Sequence, residues 1–155
     1  MDVVMRIEIV PLTFAHLRIM ARTMRTDDRD EIEGLGQVVR HVLHRLFRNS
    51  THCGAARVDG ELAAVWGCEG ELVSSVGMPW LFTAPAVERV PVGFFKTARR
   101  QVALMLRTRR MLMTDVLATY ERSLRFFSIM GFEIEEPRPA GPHGLLYRRI
   151  RLERV

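Results

Sequence analysis

Lysine is almost missing from this sequence, and arginine takes its place. Lys96 is the only lysine, so arginine supplies nearly all of the 23 basic residues, which outnumber 18 acidic ones and give a net charge of +5. Arginine offers a planar fork of donors that suits phosphate and carboxylate groups, although a GC-rich genome produces the same bias. The charge therefore permits an anionic partner without requiring one.

Long apolar runs and cysteines are also scarce. No run approaches the roughly 18 residues that a membrane-spanning helix needs, and the first residues alternate apolar and charged types instead of forming the apolar core of a signal peptide. Cys53 and Cys68 are the only cysteines, too few for a disulfide framework. We therefore expect no membrane span, no export, and two reduced thiols in a cytoplasmic protein.

Several site motifs are absent as well. No serine lies in a G-x-S-x-G turn, which argues against a serine hydrolase. His41 and His44 stand three apart on a predicted helix with His52 and Cys53 nearby, but no further residue completes a familiar metal-ligand spacing. We predict no metal site. The composition that remains, 48% hydrophobic and 26% charged over 155 residues, is that of one globular domain over residues 1–155.

Hydrophobic periodicity predicts the elements of the first half. Residues 6–10 alternate and end at Pro11, as a first strand would, and Thr13 can cap a helix that follows. An acidic start at 27–31 and an apolar stripe to about Asn49 predict further helix, broken in two by Gly34 and Gly36. Asp59-Gly60 between two β-rich runs predicts a type I′ hairpin.

The second half alternates strands and helices. The predicted elements are a strand at 79–83, a helix at 94–110, a strand at 111–118, a helix at 121–130, a strand at 132–136, a Pro- and Gly-rich loop at 137–144 and a strand at 145–152. The resulting order, β-α-α-β-β-β-α-β-α-β-β, favours an α/β domain with a central mixed sheet flanked by about four helices.

This order, and the stretch YERSLRFFSIMGF (120–132), resemble the GNAT (N-acetyltransferase) fold. The whole chain is similar to the GNAT-like proteins of short-tailed phages of the internal virion protein A type. The residues that carry this second resemblance are RTDDRDEIEGLG (25–36), VDGELAAVWG (58–67), GMPWLFTAPAVERVPVGFFKTARR (77–100) and LRFFSIMGF (124–132).

The resemblance implies where acetyl-CoA would bind. In active GNAT enzymes a loop resembling R/Q-x-x-G-x-G/A presents backbone N–H groups to the pyrophosphate, and the matching stretch here is ERVPVGFF (88–95). Arg89, Gly93 and Phe94 are the implied cofactor contacts. Pro91 removes one N–H donor, and Phe127 stands where active members often have an acidic tyrosine, so the resemblance supplies no catalytic residue.

An arginine-rich face is the remaining feature. On the predicted helix 94–110 it is formed by Arg99, Arg100, Arg107, Arg109 and Arg110. It is either solvated or an interface for another protein or for DNA.

Our leading interpretation of the whole chain is a phage virion or assembly protein that needs no cofactor. It would work through contacts with other virion proteins or packaged DNA, and it would be found in the host cytoplasm and then in the virion. The alternative is an acetyl-CoA-dependent N-acetyltransferase acting on a protein or small-molecule amine.

Overall fold

The computed structural model describes residues 6–71 and 73–155. In chain order the elements are β1 (Ile7–Val10), α1 (Phe14–Thr23), α2 (Thr26–Glu33), α3 (Val39–Asn49), β2 (Ser50–Val58), β3 (Glu61–Glu69), β4 (Val76–Thr83), a 3-10 helix (Pro85–Arg89), α4 (Pro91–Thr108), β5 (Met111–Leu117), α5 (Glu121–Ile129), β6 (Glu133–Ile134), β7 (Arg138–Ala140) and β8 (Leu145–Glu153). The predicted mixed α/β architecture is confirmed.

A single mixed sheet organises these described residues. Its strand order is β1-β2-β3-β4-β5-β8-β6, and β7 pairs with β8 beside that path. Strands β1 to β4 are antiparallel neighbours, whereas β4 and β5 run parallel. A parallel pair needs a crossover, which α4 provides. The sheet therefore consists of an antiparallel N-terminal half and a C-terminal half that meet along β4 and β5.

Helices cover both faces of the sheet. Adjacent residues of a strand point to opposite faces, and in β3 Val65 packs with α1, α2 and α3, while its neighbours Ala64 and Trp66 pack with α4 and α5. Leu43 of α3 and Leu112 of β5 are fully buried, one in each layer. The domain is thus a three-layer sandwich with a main hydrophobic core on each face of the sheet, and a gap between two strands connects the two helical layers.

The hairpin between β2 and β3 forms as predicted. Asp59 and Gly60 have φ angles of 49° and 84°, the left-handed values that a type I′ turn requires. Asp59 also accepts a hydrogen bond from the backbone N–H of Arg6 through its carboxylate, at 3.1 Å. Cys53 and Cys68 on these strands are free thiols, and burial raises the pKa of both.

Some boundaries differ from the sequence prediction. The loop predicted at 137–144 contains the short strand β7, because Gly141 and Gly144 adopt positive φ and fold 138–140 back onto β8. Pro139 fits there since an edge strand can lack an N–H donor. Strand β4 begins at Val76 rather than 79. The break predicted at Gly34 and Gly36 is present, and it separates the acidic helix α2 from α3. Among the described residues no helix combines the length and apolarity needed to cross a membrane.

Candidate functional site: a cleft between two diverging strands

Strands β4 and β5 separate soon after they meet. They pair only at Val76 with Met111 and Gly77 with Leu112, whereas β5 pairs with β8 along its whole length. A cavity of about 960 Å³ opens between them, a size typical of small-molecule and cofactor sites. We call it the β4–β5 cleft. Residues on its wall include Arg25, Asp28, Glu31, Met78, Trp80, Thr83, Glu88, Phe94, Phe95, Asp115, Arg122, Phe126 and Phe127.

The separation leaves one edge of β4 without a strand partner. From Met78 onward β4 still pairs with β3 on its other side, but no described residue of β5 pairs with it. Apart from Thr83, whose N–H and C=O are bonded to Asp28 and to the N–H of Arg25, the backbone polar groups that point across the cleft are available to an extended ligand, as in the addition of a peptide strand to a sheet edge. The lining is otherwise largely apolar, with acidic groups at one end.

Helix α2 bridges the far ends of the two strands. Asp28 accepts hydrogen bonds from the backbone N–H and the hydroxyl of Thr83, at 2.7 and 2.9 Å, where β4 ends. Three residues later on the same helix, Glu31 accepts one from the backbone N–H of Leu117, at 3.3 Å, where β5 ends. Two carboxyl groups on one face of a helix thus replace the missing strand pairing at the wide end of the cleft, which we call its mouth.

Asp28 is a buried carboxylate with three donors. Besides the two from Thr83, the hydroxyl of Tyr120 donates to it at 2.9 Å. Burial raises the pKa of Asp28, and the hydrogen bonds from Thr83 and Tyr120, together with the charge of Arg25, oppose this rise. Since these donors come from the end of β4 and from the residue before α5, Asp28 ties both to α2, and its first role is structural.

Glu31 is the more strongly perturbed group. Burial is the largest cause that raises its pKa, to about 8, and the nearby carboxylates of Asp28 and Asp115 add to the rise, against the hydrogen bond from Leu117. A carboxyl that titrates near neutral pH on the wall of a cleft can hold or accept a proton. This makes Glu31 the side chain best suited to acid–base chemistry in the cleft.

Tyr120 does not take the role of the absent tyrosine at 127. It directly precedes α5, and its hydroxyl is committed to Asp28. Burial and the charge of Asp28 raise the pKa of Tyr120 far above its usual value, which makes it a weaker acid. Phe127 itself lines the cleft, and its ring has no proton to give.

Phenylalanines fill the space between α4 and α5. The ring of Phe126 stacks on Phe94 at a centroid distance of 5.6 Å and meets the edges of Phe95 and Phe127 at 5.9 and 5.4 Å. Phe127 in turn contacts Phe132 at 5.3 Å. Aromatic contacts at these distances stabilise beyond the area that they bury. They give this side of the cleft an apolar wall.

The structure separates the three implied cofactor residues. Phe94 lies on the cleft wall. Arg89 forms an ion pair with Glu61 outside the cleft. Gly93 lies against β1, where an added Cβ would be 2.5 Å from the side chain of Ile7, so its lack of a side chain allows α4 to pack closely on the sheet.

The arginine face needs one correction. Arg99, Arg100, Arg107 and Arg110 are exposed, but Arg109 is only 2% exposed. Helix α4 ends at Thr108, and the extended backbone of Arg109 turns its side chain inward. There it donates to the carbonyls of Glu71, Ser74 and Gly70 and to the hydroxyl of Thr51.

Arg109 is therefore a structural residue, because it ties the loop after β3 to the sheet. Of the five predicted arginines, Arg99, Arg100 and Arg107 are both exposed and within α4, where Lys96 is exposed as well. No aspartate or glutamate occurs in α4.

Sequence reasoning missed Asp28 and Glu31 as site residues. The sequence pattern predicts for them only a general role as negative charges at a helix N-terminus. The available signal was their spacing: residues three apart share a helix face, and the same face carries the buried Ile32. An acidic pair beside a core position indicates carboxylates that face inward.

Known structures share this fold. The GNAT domain of S. lividans PAT aligns with a TM-score of 0.69 at 13% identity over 97% of this chain and 90% of that one. Aminoglycoside acetyltransferase AAC(6')-Ib in complex with coenzyme A gives 0.68 at 16% identity over 96% and 95% of the two chains. Spermidine N-acetyltransferase from Vibrio cholerae, in complex with CoA and spermine, gives 0.68 at 12% over 95% of each.

No protein-family model matches the sequence, and no curated protein does. At these identities the structural matches establish the GNAT fold, and any activity is a matter for proposal.

Proposed function

We propose that this protein is an acetyl-CoA-dependent N-acetyltransferase that modifies the amine of a protein or small molecule. The observation that carries the proposal is the β4–β5 cleft with Glu31 on its wall. The cleft combines an unpaired strand edge with a carboxyl whose pKa lies near 8. The structural neighbours, which are acetyltransferases, support the same reaction class.

The residues of the cleft fit the pantetheine arm of acetyl-CoA. This arm is an extended chain with two amide groups, and the open edge of β4 offers backbone carbonyls and N–H donors between Pro79, which has no N–H, and Thr83, whose N–H is bonded to Asp28. Phe94, Phe95 and Phe126 add an apolar wall beside it. The pyrophosphate finds fewer backbone donors, because Pro91 opens α4 without an N–H group.

The chemistry divides between the bound group and the chain. Acetyl-CoA would supply an activated acetyl thioester. In the proposed reaction, ionised Glu31 would accept a proton from the ammonium group of the substrate, and the resulting amine would form the N–C bond to the acetyl carbonyl as the C–S bond of the thioester breaks. Phe127 supplies no acid, but a thiol has a pKa near ~8.5 and leaves as a thiolate without obligatory protonation. Positioning along β4 then provides much of the rate enhancement.

Two measurements test this function. Calorimetry with acetyl-CoA should show binding in the micromolar range, and a thiol-release assay with a panel of primary amines should show turnover that rises with pH toward a plateau above about pH 8. Glu31→Gln should retain binding and lose turnover by about 100-fold or more. Glu33→Gln, an exposed carboxylate on the same helix, is the matched control. Absence of binding at millimolar acetyl-CoA would refute the proposal.

A second candidate function is favoured by a separate observation. The exposed residues Arg99, Arg100 and Arg107 share a helix with no acidic residue, which suits an anionic partner. In this candidate the protein is a phage virion or assembly component of the host cytoplasm and the particle. Its partner is another virion protein or packaged DNA.

Mass spectrometry of purified particles tests this candidate directly. The chain should be found in the particles, and the triple change to alanine at 99, 100 and 107 should reduce its incorporation. A duplex-binding titration distinguishes the partners, because binding to DNA would weaken steeply with salt. If the chain were absent from the particles, this second candidate would be wrong.

A further inference from the structure

Two arginines converge on one carboxylate oxygen at the mouth of the β4–β5 cleft. Arg25, just before α2, and Arg122, on α5, approach the same Oε1 atom of Glu88 at 3.5 and 3.4 Å. Glu88 belongs to the 3-10 helix that leads into α4. All three side chains lie on the cleft wall. One carboxylate is therefore shared between two guanidinium groups, and the charge of Arg25 also acts on the buried carboxyl of Asp28.

The two arginines are held differently. Arg25 is anchored, since its Nε donates to the hydroxyl of Thr83 at 2.7 Å and its side chain is only 18% exposed. Arg122 is free to move, because its side chain is 66% exposed and its ion pair with Glu88 is open to solvent. Exposed ion pairs of this kind stabilise a protein very little. A stronger anion can thus displace Glu88 without disturbing the fold.

The neighbouring helix adds to the attraction for an anion. Helix α4 starts at Pro91, three residues after Glu88, and has no acidic residue in its first turn. A helix N-terminus carries a partial positive charge. Because Pro91 removes one N–H donor, guanidinium groups are the stronger donors in this region. Phosphate oxygens match their geometry better than the single shared oxygen of Glu88 does.

We propose that Arg25 and Arg122 form a phosphate-binding pair at the mouth of the cleft, and that Glu88 occupies this pair until a phosphorylated ligand displaces it. The chemical class of the ligand is a phosphate or diphosphate ester. Its identity as the phosphate end of a CoA-type molecule rests on the proposed function. The guanidinium pair then does by side chains what a loop of backbone N–H groups would otherwise do.

A ligand series tests the pair by calorimetry at fixed low salt. The ligands are pantetheine, 4′-phosphopantetheine, CoA and inorganic pyrophosphate, measured with the full chain and three variants. Arg122→Ala should weaken the phosphorylated ligands about fivefold and Glu88→Gln should tighten them about threefold, whereas pantetheine should be unaffected by either change. Arg125→Ala, an exposed arginine of α5 that is not on the cleft wall, should change nothing.

The outcomes separate this inference from the proposed function. If Arg122→Ala and Glu88→Gln leave CoA and pyrophosphate affinity unchanged, or shift pantetheine by the same factor, the phosphate pair is wrong even though the cleft binds CoA. If CoA and pantetheine fail to bind but pyrophosphate binds and responds to both variants, the pair stands and the acetyltransferase proposal falls. If pyrophosphate also fails to bind, both are overturned. Equal melting temperatures will show that each variant is folded.

Discussion

The change Glu31→Gln should remove a pH-dependent contribution of this side chain to the free energy of unfolding. Glutamine keeps the oxygen that accepts the hydrogen bond from the backbone N–H of Leu117, but it cannot ionise. The wild-type carboxyl has an ordinary value of 4.5 and a pKa of about 8 in the folded protein. The wild type therefore takes up a proton at Glu31 when it folds between pH 4.5 and 8, whereas Glu31→Gln does not.

The sign and size follow from proton linkage. Between pH 4.5 and 8 the unfolded chain has lost this proton and the folded chain still holds it. The unfolded state binds fewer protons, so stability falls as pH rises. The contribution of protonated Glu31 to stability is fully present below pH 4.5 and is lost above pH 8. A full proton corresponds to about 1.4 kcal/mol per pH unit, and from pH 6 to 8 the wild type should lose about 2 kcal/mol more than Glu31→Gln.

Urea denaturation at pH 6, 7 and 8 provides the measurement. The free energies of unfolding of wild type, Glu31→Gln and the exposed control Glu33→Gln should be compared at each pH, with m-values checked for equality. Taking differences between variants cancels the histidines and other groups that titrate in the same range. Parallel curves for wild type and Glu31→Gln would refute the reasoning, because they would mean that Glu31 has a similar pKa in both states.

Three further changes test the structure. Tyr120→Phe leaves one oxygen of the buried Asp28 without its donor and should destabilise by about 1 to 3 kcal/mol, as measured by urea denaturation. Arg109→Ala removes a buried guanidinium with four acceptors and should cost about 3 to 5 kcal/mol, whereas exposed Arg107→Ala should stay within about 0.5 kcal/mol in the same assay. Gly67→Ala would place a Cβ 2.5 Å from a tryptophan ring of β4, and its melting temperature should fall by about 5 °C or more. Wild-type stability in the assay named for any of the three destabilising variants would contradict the contact concerned.

Local signals predicted much of the fold. The Asp59-Gly60 turn, the Thr13 cap and the apolar stripes of the helices are short-range features, and the structure places an element at each of them. The side chain of Thr13 accepts from the backbone N–H of His16 at 3.4 Å, as a capping residue should. Such features depend on neighbours in sequence, which is why a single sequence displays them.

Local sequence signals do not predict the β4–β5 cleft. Its shape depends on where β4 stops pairing with β5, and the residues that pair at the closed end, Val76 and Met111, lie on opposite sides of the whole of α4 in the sequence. Arg109 shows a related limit, since it continues the helical arginine pattern and no glycine or proline marks the end of α4. Only the packed structure reveals that its side chain is needed inside.

The bridge that α2 makes across the cleft also links early and late parts of the chain. The backbone amides of Thr83 and Leu117 are bonded to carboxylates of α2, not to a neighbouring strand. Their exchange with deuterium therefore requires α2 to lift, whether or not the sheet opens. These two amides are local reporters of cleft widening, and a bound ligand that wedges the strands apart would be detected there first.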